Sequence, residues 1–72
     1  MKLYPTRGKN LVAVGWENGI LEVMFAPKMT VYRYKGVPQE VCGKLTRHLY
    51  PMKLYLQIVK NKYERAEDAS GT

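Results

Sequence analysis

The first apolar run, Leu11 to Trp16 (LVAVGW), is rich in β-branched residues and stops at Glu17-Asn18-Gly19. Asn-Gly between two apolar runs predicts a tight hairpin, because both residues tolerate positive φ. The returning strand, Ile20 to Ala26, alternates, with Leu21, Val23 and Phe25 on one face and Ile20, Glu22 and Met24 on the other. Pro27-Lys28 turns the chain into a third strand, Met29 to Lys35. Thr30, Tyr32 and Tyr34 line one side of it, and Val31, Arg33 and Lys35 the other. Three consecutive antiparallel strands form a meander.

After Gly36 the hydrophobic period lengthens. Val37-Pro38-Gln39-Glu40 places a proline in the first turn of a helix, where its missing N–H costs nothing, and Glu40 there complements the helix dipole. Val41, Leu45 and either Cys42 or Leu49 recur at helical spacing. Gly43 weakens this helix by about 1 kcal/mol against alanine, which predicts a short one. Pro51 marks a break. Leu54, Ile58 and Val59, flanked by Tyr55 and Tyr63, then form the apolar face of a second helix predicted to end near Glu64. Lys53, Gln57, Lys60, Asn61 and Glu64 fall opposite.

The expected fold is therefore α+β, ordered β-β-β-α-α: a three-stranded antiparallel meander followed by two short helices packed on one face. Residues 1–9, with Pro5, Gly8 and three cations, read as a flexible lead-in, 10–64 as a single domain, and 65–72 as a frayed acidic tail.

A chain of 72 residues forms one domain and buries only about 60% of its unfolded surface, too little to enclose a deep catalytic cavity. The single cysteine, Cys42, has no partner for a disulfide, and one Cys with one His falls short of a zinc site. His48 has no carboxylate or thiol at a spacing that would orient it, and no glycine-rich phosphate loop is present. The expectation is a non-enzyme with no cofactor, no metal and no small-molecule substrate. A one-cysteine chain argues for the reducing cytosol. The N-terminus lacks an apolar signal region, and the run Ile20 to Phe25 is too short to span a bilayer, so a cytoplasmic protein with no membrane partner is expected, taken as a monomer.

The net charge is +6, and it is unevenly placed. Glu64, Glu67 and Asp68 hold half of the acids near the C-terminus, while Lys28 to Lys62 carries eight Lys/Arg and one acid, Glu40. Such an imbalance suggests attraction to a polyanion or to an acidic protein surface.

Val14-Gly15-Trp16, Leu21-Glu22-Val23-Met24-Phe25, Tyr32-Arg33-Tyr34, Val37-Pro38, and Val59 with Tyr63 follow one another as in the KTSC domain, which this sequence resembles from about Asn10 to Tyr63. The resemblance rests on the order and spacing of these motifs together. It implies a small module, found appended to some lysyl-tRNA synthetases and free-standing in bacteria and their phages, for which RNA binding has been suggested. One departure is plain. Where the family carries small residues and a Ser-x-Gly turn between the helices, this chain has His48-Leu49-Tyr50-Pro51-Met52.

Two functions follow from the residues. The first is a small basic regulator that docks on an acidic protein of the gene-expression machinery, such as bacterial RNA polymerase, through the apolar turn Tyr50 to Tyr55 with Met52 and the cations Lys44, Arg47 and Lys53. The second is a direct RNA-binding module using Arg33, Lys35, Lys53, Lys60 and Lys62 for phosphates and exposed rings for stacking. Tyr32 and Tyr34 either stack bases or pack under the helices, and their alternation with Arg33 and Lys35 favours packing. Rings on the outer sheet face would favour RNA, and aliphatic residues there a protein. Lys44, Arg47 and His48, with Lys53, Lys60 and Lys62, are expected to form one basic patch across both helices, or simply its solvated side.

Overall fold

The computed structural model describes residues 2–66. It is an α+β fold of four antiparallel strands in sequential order, β1 (Tyr4–Pro5), β2 (Leu11–Glu17), β3 (Ile20–Phe25) and β4 (Thr30–Tyr34). They are followed by α1 (Gln39–Arg47) and α2 (Pro51–Ile58).

The central meander forms for the reasons its sequence states. Glu17 pairs with Ile20 across Asn18 (φ 52°) and Gly19 (φ 82°), the two positive dihedrals that a twisted two-residue hairpin demands. From that turn the register runs Trp16↔Leu21, Val14↔Val23, then Leu21↔Tyr34 and Val23↔Tyr32 into β4. This parity puts Leu11, Val14, Leu21, Val23 and Tyr34 into the core with Val41, Leu45, Tyr55 and Val59 from the helical side. Each fully buried Leu or Val contributes roughly 1.5–3 kcal/mol. Trp16 is half-buried and its indole Nε1–H donates to the carbonyl of Val37 at 2.6 Å, tying the hairpin to the chain entering α1.

The expectation of three strands is corrected to four. The segment read as a lead-in supplies β1, which pairs Tyr4 with Val14 and Pro5 with Ala13. Gly15 makes this possible: a Cβ there would lie 2.4 Å from the carbonyl oxygen of Lys2 and 3.0 Å from Leu3 Cδ2, so only a glycine lets the N-terminal strand cross so closely. Thr6 closes the return loop, its hydroxyl donating to the Leu11 carbonyl and accepting the Gly8 N–H at 3.1 Å.

Pro38 is the N-cap of α1, one step before the first helical turn, and Glu40 lies in that turn. Cys42, rather than Leu49, completes the buried face of α1, because the helix ends at Arg47 and leaves Leu49 outside it. Burial pushes the Cys42 thiol above its ordinary pKa. Pro51 is the first residue of α2, as a helix-opening proline should be.

The prediction that the second helix reaches Glu64 fails. It stops at Ile58, and the chain turns through Lys60–Lys62. The Lys35 N–H donates to Glu64 O at 3.0 Å, and the Ala66 N–H to Arg33 O at 2.8 Å, with Tyr34 and Arg65 bridged antiparallel. The backbone groups on the outer edge of β4 need partners, and continuing the helix would have left them without these. Arg65 and Ala66 are thus part of the sheet's margin, whereas the rest of the predicted tail, residues 67–72, lies outside the described residues.

Candidate docking surface

Among the described residues, the outer sheet face carries Ala13, Glu22, Met24, Val31 and Arg33 and no aromatic ring. At its centre Glu22, only 7% exposed, receives Arg33 Nε–H at 2.6 Å across the β3–β4 pair. Burying that carboxylate requires a charged donor, so Arg33 is committed to Glu22 and is not a spare phosphate ligand. Lys35 reaches Glu64 at 3.6 Å in an exposed, weaker pair. Tyr32 and Tyr34 face the helices. Tyr34 is buried with its hydroxyl hydrogen-bonded to that of Tyr55, and Tyr32 packs on the core beneath the Arg65 guanidinium, 4.1 Å above its ring. Burial, and then the bond to Tyr34, push the Tyr55 hydroxyl far above the usual tyrosine pKa.

The cations expected as a basic patch or solvated side across both helices line different hollows. Lys44, Arg47 and His48 surround a shallow hollow with Leu54. Lys53 lines a groove on one flank of α2, Lys60 lines another on the opposite flank, and Lys62 is exposed in the turn that follows.

The turn between the helices is built to expose apolar groups. The His48 N–H caps α1 by donating to Lys44 O at 3.0 Å, and its Nδ1 accepts the Tyr50 N–H at 2.9 Å. Tyr50 is the N-cap of α2. Pro51 is buried against the loop of residues 6–10, where a Cβ on Gly8 would come within 2.8 Å of its ring. Anchored on both sides, Leu49 (64% exposed) and Tyr50 (67% exposed) project into solvent, joined by Leu56 (42% exposed) one turn into α2. Met52 is half-buried and packs on the core, and Tyr55 is fully core, so the docking edge expected over Tyr50 to Tyr55 is narrower at that end and extended to Leu49 and Leu56.

Groove A, of about 560 Å³, is floored by this edge and walled by Arg7, Lys9 and Lys53. Groove B, of about 440 Å³, lies across α2. Phe25, Tyr32 and Tyr55 line it, and Lys28, Lys60 and Arg65 stand around it. Among the described residues no Asp or Glu lines either groove. Sequence reasoning had overlooked Arg7, Lys9, Lys28 and Arg65. The only available signal was the surplus of cations, which says nothing about where they converge.

Among the described residues no three of His, Cys, Asp and Glu come together as a metal site, and no helix is long and apolar enough to cross a membrane. No protein-family model matches the chain and no curated protein matches it, so the likeness to the KTSC domain rests on the residues quoted above.

Proposed function

We propose that this protein is a non-catalytic docking module that binds an acidic protein surface through groove A. The observation that carries this reading is the exposed apolar trio Leu49, Tyr50 and Leu56 beside Arg7, Lys9 and Lys53, with no carboxylate among the described residues lining the groove. A protein interface wants this arrangement: apolar anchors that gain from leaving water, surrounded by charges that steer and orient the partner. Among acidic partners, proteins of the gene-expression machinery such as RNA polymerase are the first to test.

The direct RNA-binding alternative has less support. Its sheet-face cation Arg33 is engaged by Glu22, and its rings Tyr32 and Tyr34 point toward the helices.

Affinity capture from bacterial lysate, with and without nuclease treatment, tests the choice, using the wild type, Tyr50→Ser with Leu56→Ser, and Lys35→Glu with Lys62→Glu. A specific protein retained by the wild type and the lysine variant, and lost from the apolar variant, is the expected result. Capture that disappears on nuclease treatment, or that depends only on the lysines, overturns the docking reading in favour of nucleic acid.

A further inference from the structure

Met52 and Leu56 lie one helical turn apart on α2, and both line groove A and groove B. The surface is therefore unbroken from one flank of the helix to the other, with an apolar ridge between two basic ends. Three cations stand at each end, Arg7, Lys9 and Lys53 on one side and Lys28, Lys60 and Arg65 on the other. Building on the docking reading above, we infer that groove B is a second subsite for the same partner, and that it takes an aromatic side chain flanked by carboxylates.

The aromatic preference comes from the lining. Phe25 meets Tyr32 tilted, with centroids 5.6 Å apart, and meets Tyr55 edge-on at 5.3 Å. A fourth ring extends such a cluster with the edge-to-face geometry that aromatic groups favour. The carboxylates come from the charge. Among the described residues, Lys28 and Lys60 have no acid within ion-pair distance. Arg65, its guanidinium 4.1 Å from the Tyr32 ring centroid, adds to the positive charge around the groove. The uncharged ridge decides between polymer classes. A nucleic-acid strand presents a phosphate at every nucleotide, while a peptide interrupts its charge with apolar side chains, as this surface does.

The test is selection of a displayed random dodecapeptide library on the full chain, followed by titration of the ¹⁵N-labelled protein with the enriched peptides and with a uridine dodecanucleotide. Enriched peptides should carry acids around one aromatic and one aliphatic residue, and should shift amides of Lys28, Tyr32 and Lys60 together with those of Leu49 and Tyr50. Lys28→Glu with Lys60→Glu should weaken these peptides about tenfold, and changing the peptide's aromatic residue to alanine should weaken its binding to the wild type. Peptides that shift groove A alone overturn this inference and leave the docking reading standing. Peptides without acids, or shifts confined to the oligonucleotide, overturn both.

Discussion

Replacing Gly15 by alanine should detach the N-terminal strand, and the size of the effect follows from one distance. The added Cβ would lie 2.4 Å from the Lys2 carbonyl oxygen, whereas carbon and oxygen approach comfortably only to about 3.3 Å. The obstacle is backbone, so it cannot rotate away. The chain at Lys2 and Leu3 must retreat by roughly 1 Å, and β1, only two residues long, does not survive that. Losing about two strand hydrogen bonds at a net 0.5–1.5 kcal/mol each removes roughly 1–3 kcal/mol. Alanine returns about 0.5–1 kcal/mol over glycine inside a strand. The net loss is about 1–2 kcal/mol, which in urea moves the midpoint down by roughly 1–2 M at the shallow slope of a small domain. The control is the same substitution in a chain lacking residues 1–5, where the clash is gone and alanine should be neutral or slightly stabilising. An equal loss in the truncated chain, or none in the full one, would refute the reasoning.

Three further outcomes are expected. Gly43→Ala should raise stability by about 0.5–1 kcal/mol through helix propensity, because the nearest obstacle is the mobile Arg47 guanidinium at 3.1 Å; thermal melts of the two proteins check it. Arg33→Ala should cost about 1–2 kcal/mol by leaving Glu22 buried without its donor, less than for a fully buried pair because Arg33 is partly exposed, and a double-mutant cycle with Glu22→Gln should recover part of the loss. The raised Tyr55 pKa means that the unfolded chain loses this proton near the ordinary value of 10.0, while the folded chain keeps it. Stability from this group is therefore complete below that pH and declines as pH rises above it. Circular dichroism against pH, read beside tyrosinate absorbance, should show a stability loss above pH 10 that is smaller in Tyr55→Phe.

Local chemistry made the meander legible. Asn18-Gly19 fixes the turn and hence the register, and the register fixes which side of each strand Leu21, Val23 and Tyr34 occupy. Pro51 announced the start of α2 for an equally local reason. The features that escaped depend on distant partners. Tyr4–Pro5 is too short to show a period and contains a residue that strands avoid, and only the space above Gly15 admits it. The periodicity of Tyr55 to Tyr63 fits a longer helix, but the open edge of β4 takes Glu64 to Ala66 instead. A lone acid in an otherwise apolar strand gives no sign of what its burial rests on until its register partner, Arg33, is known. For the site, the apolar residues of the inter-helix turn were visible, as an unusual run at a connection. The convergence of Arg7 and Lys9 with Lys53, and of Lys28 and Arg65 with Lys60, belongs to the fold alone.

The two outer margins of the sheet are held by the segments nearest the ends of the chain, Tyr4–Pro5 on one side and Glu64–Ala66 on the other. For anyone trimming or tagging this protein, these two segments are therefore not expendable. Cutting after Tyr63 would leave β4 as a bare template on which another copy could add a strand, and self-association would follow from a deletion that removes almost no core. A fusion joined beyond Thr72 preserves that seal, and the difference between the two designs should be visible as elution volume before any binding is measured.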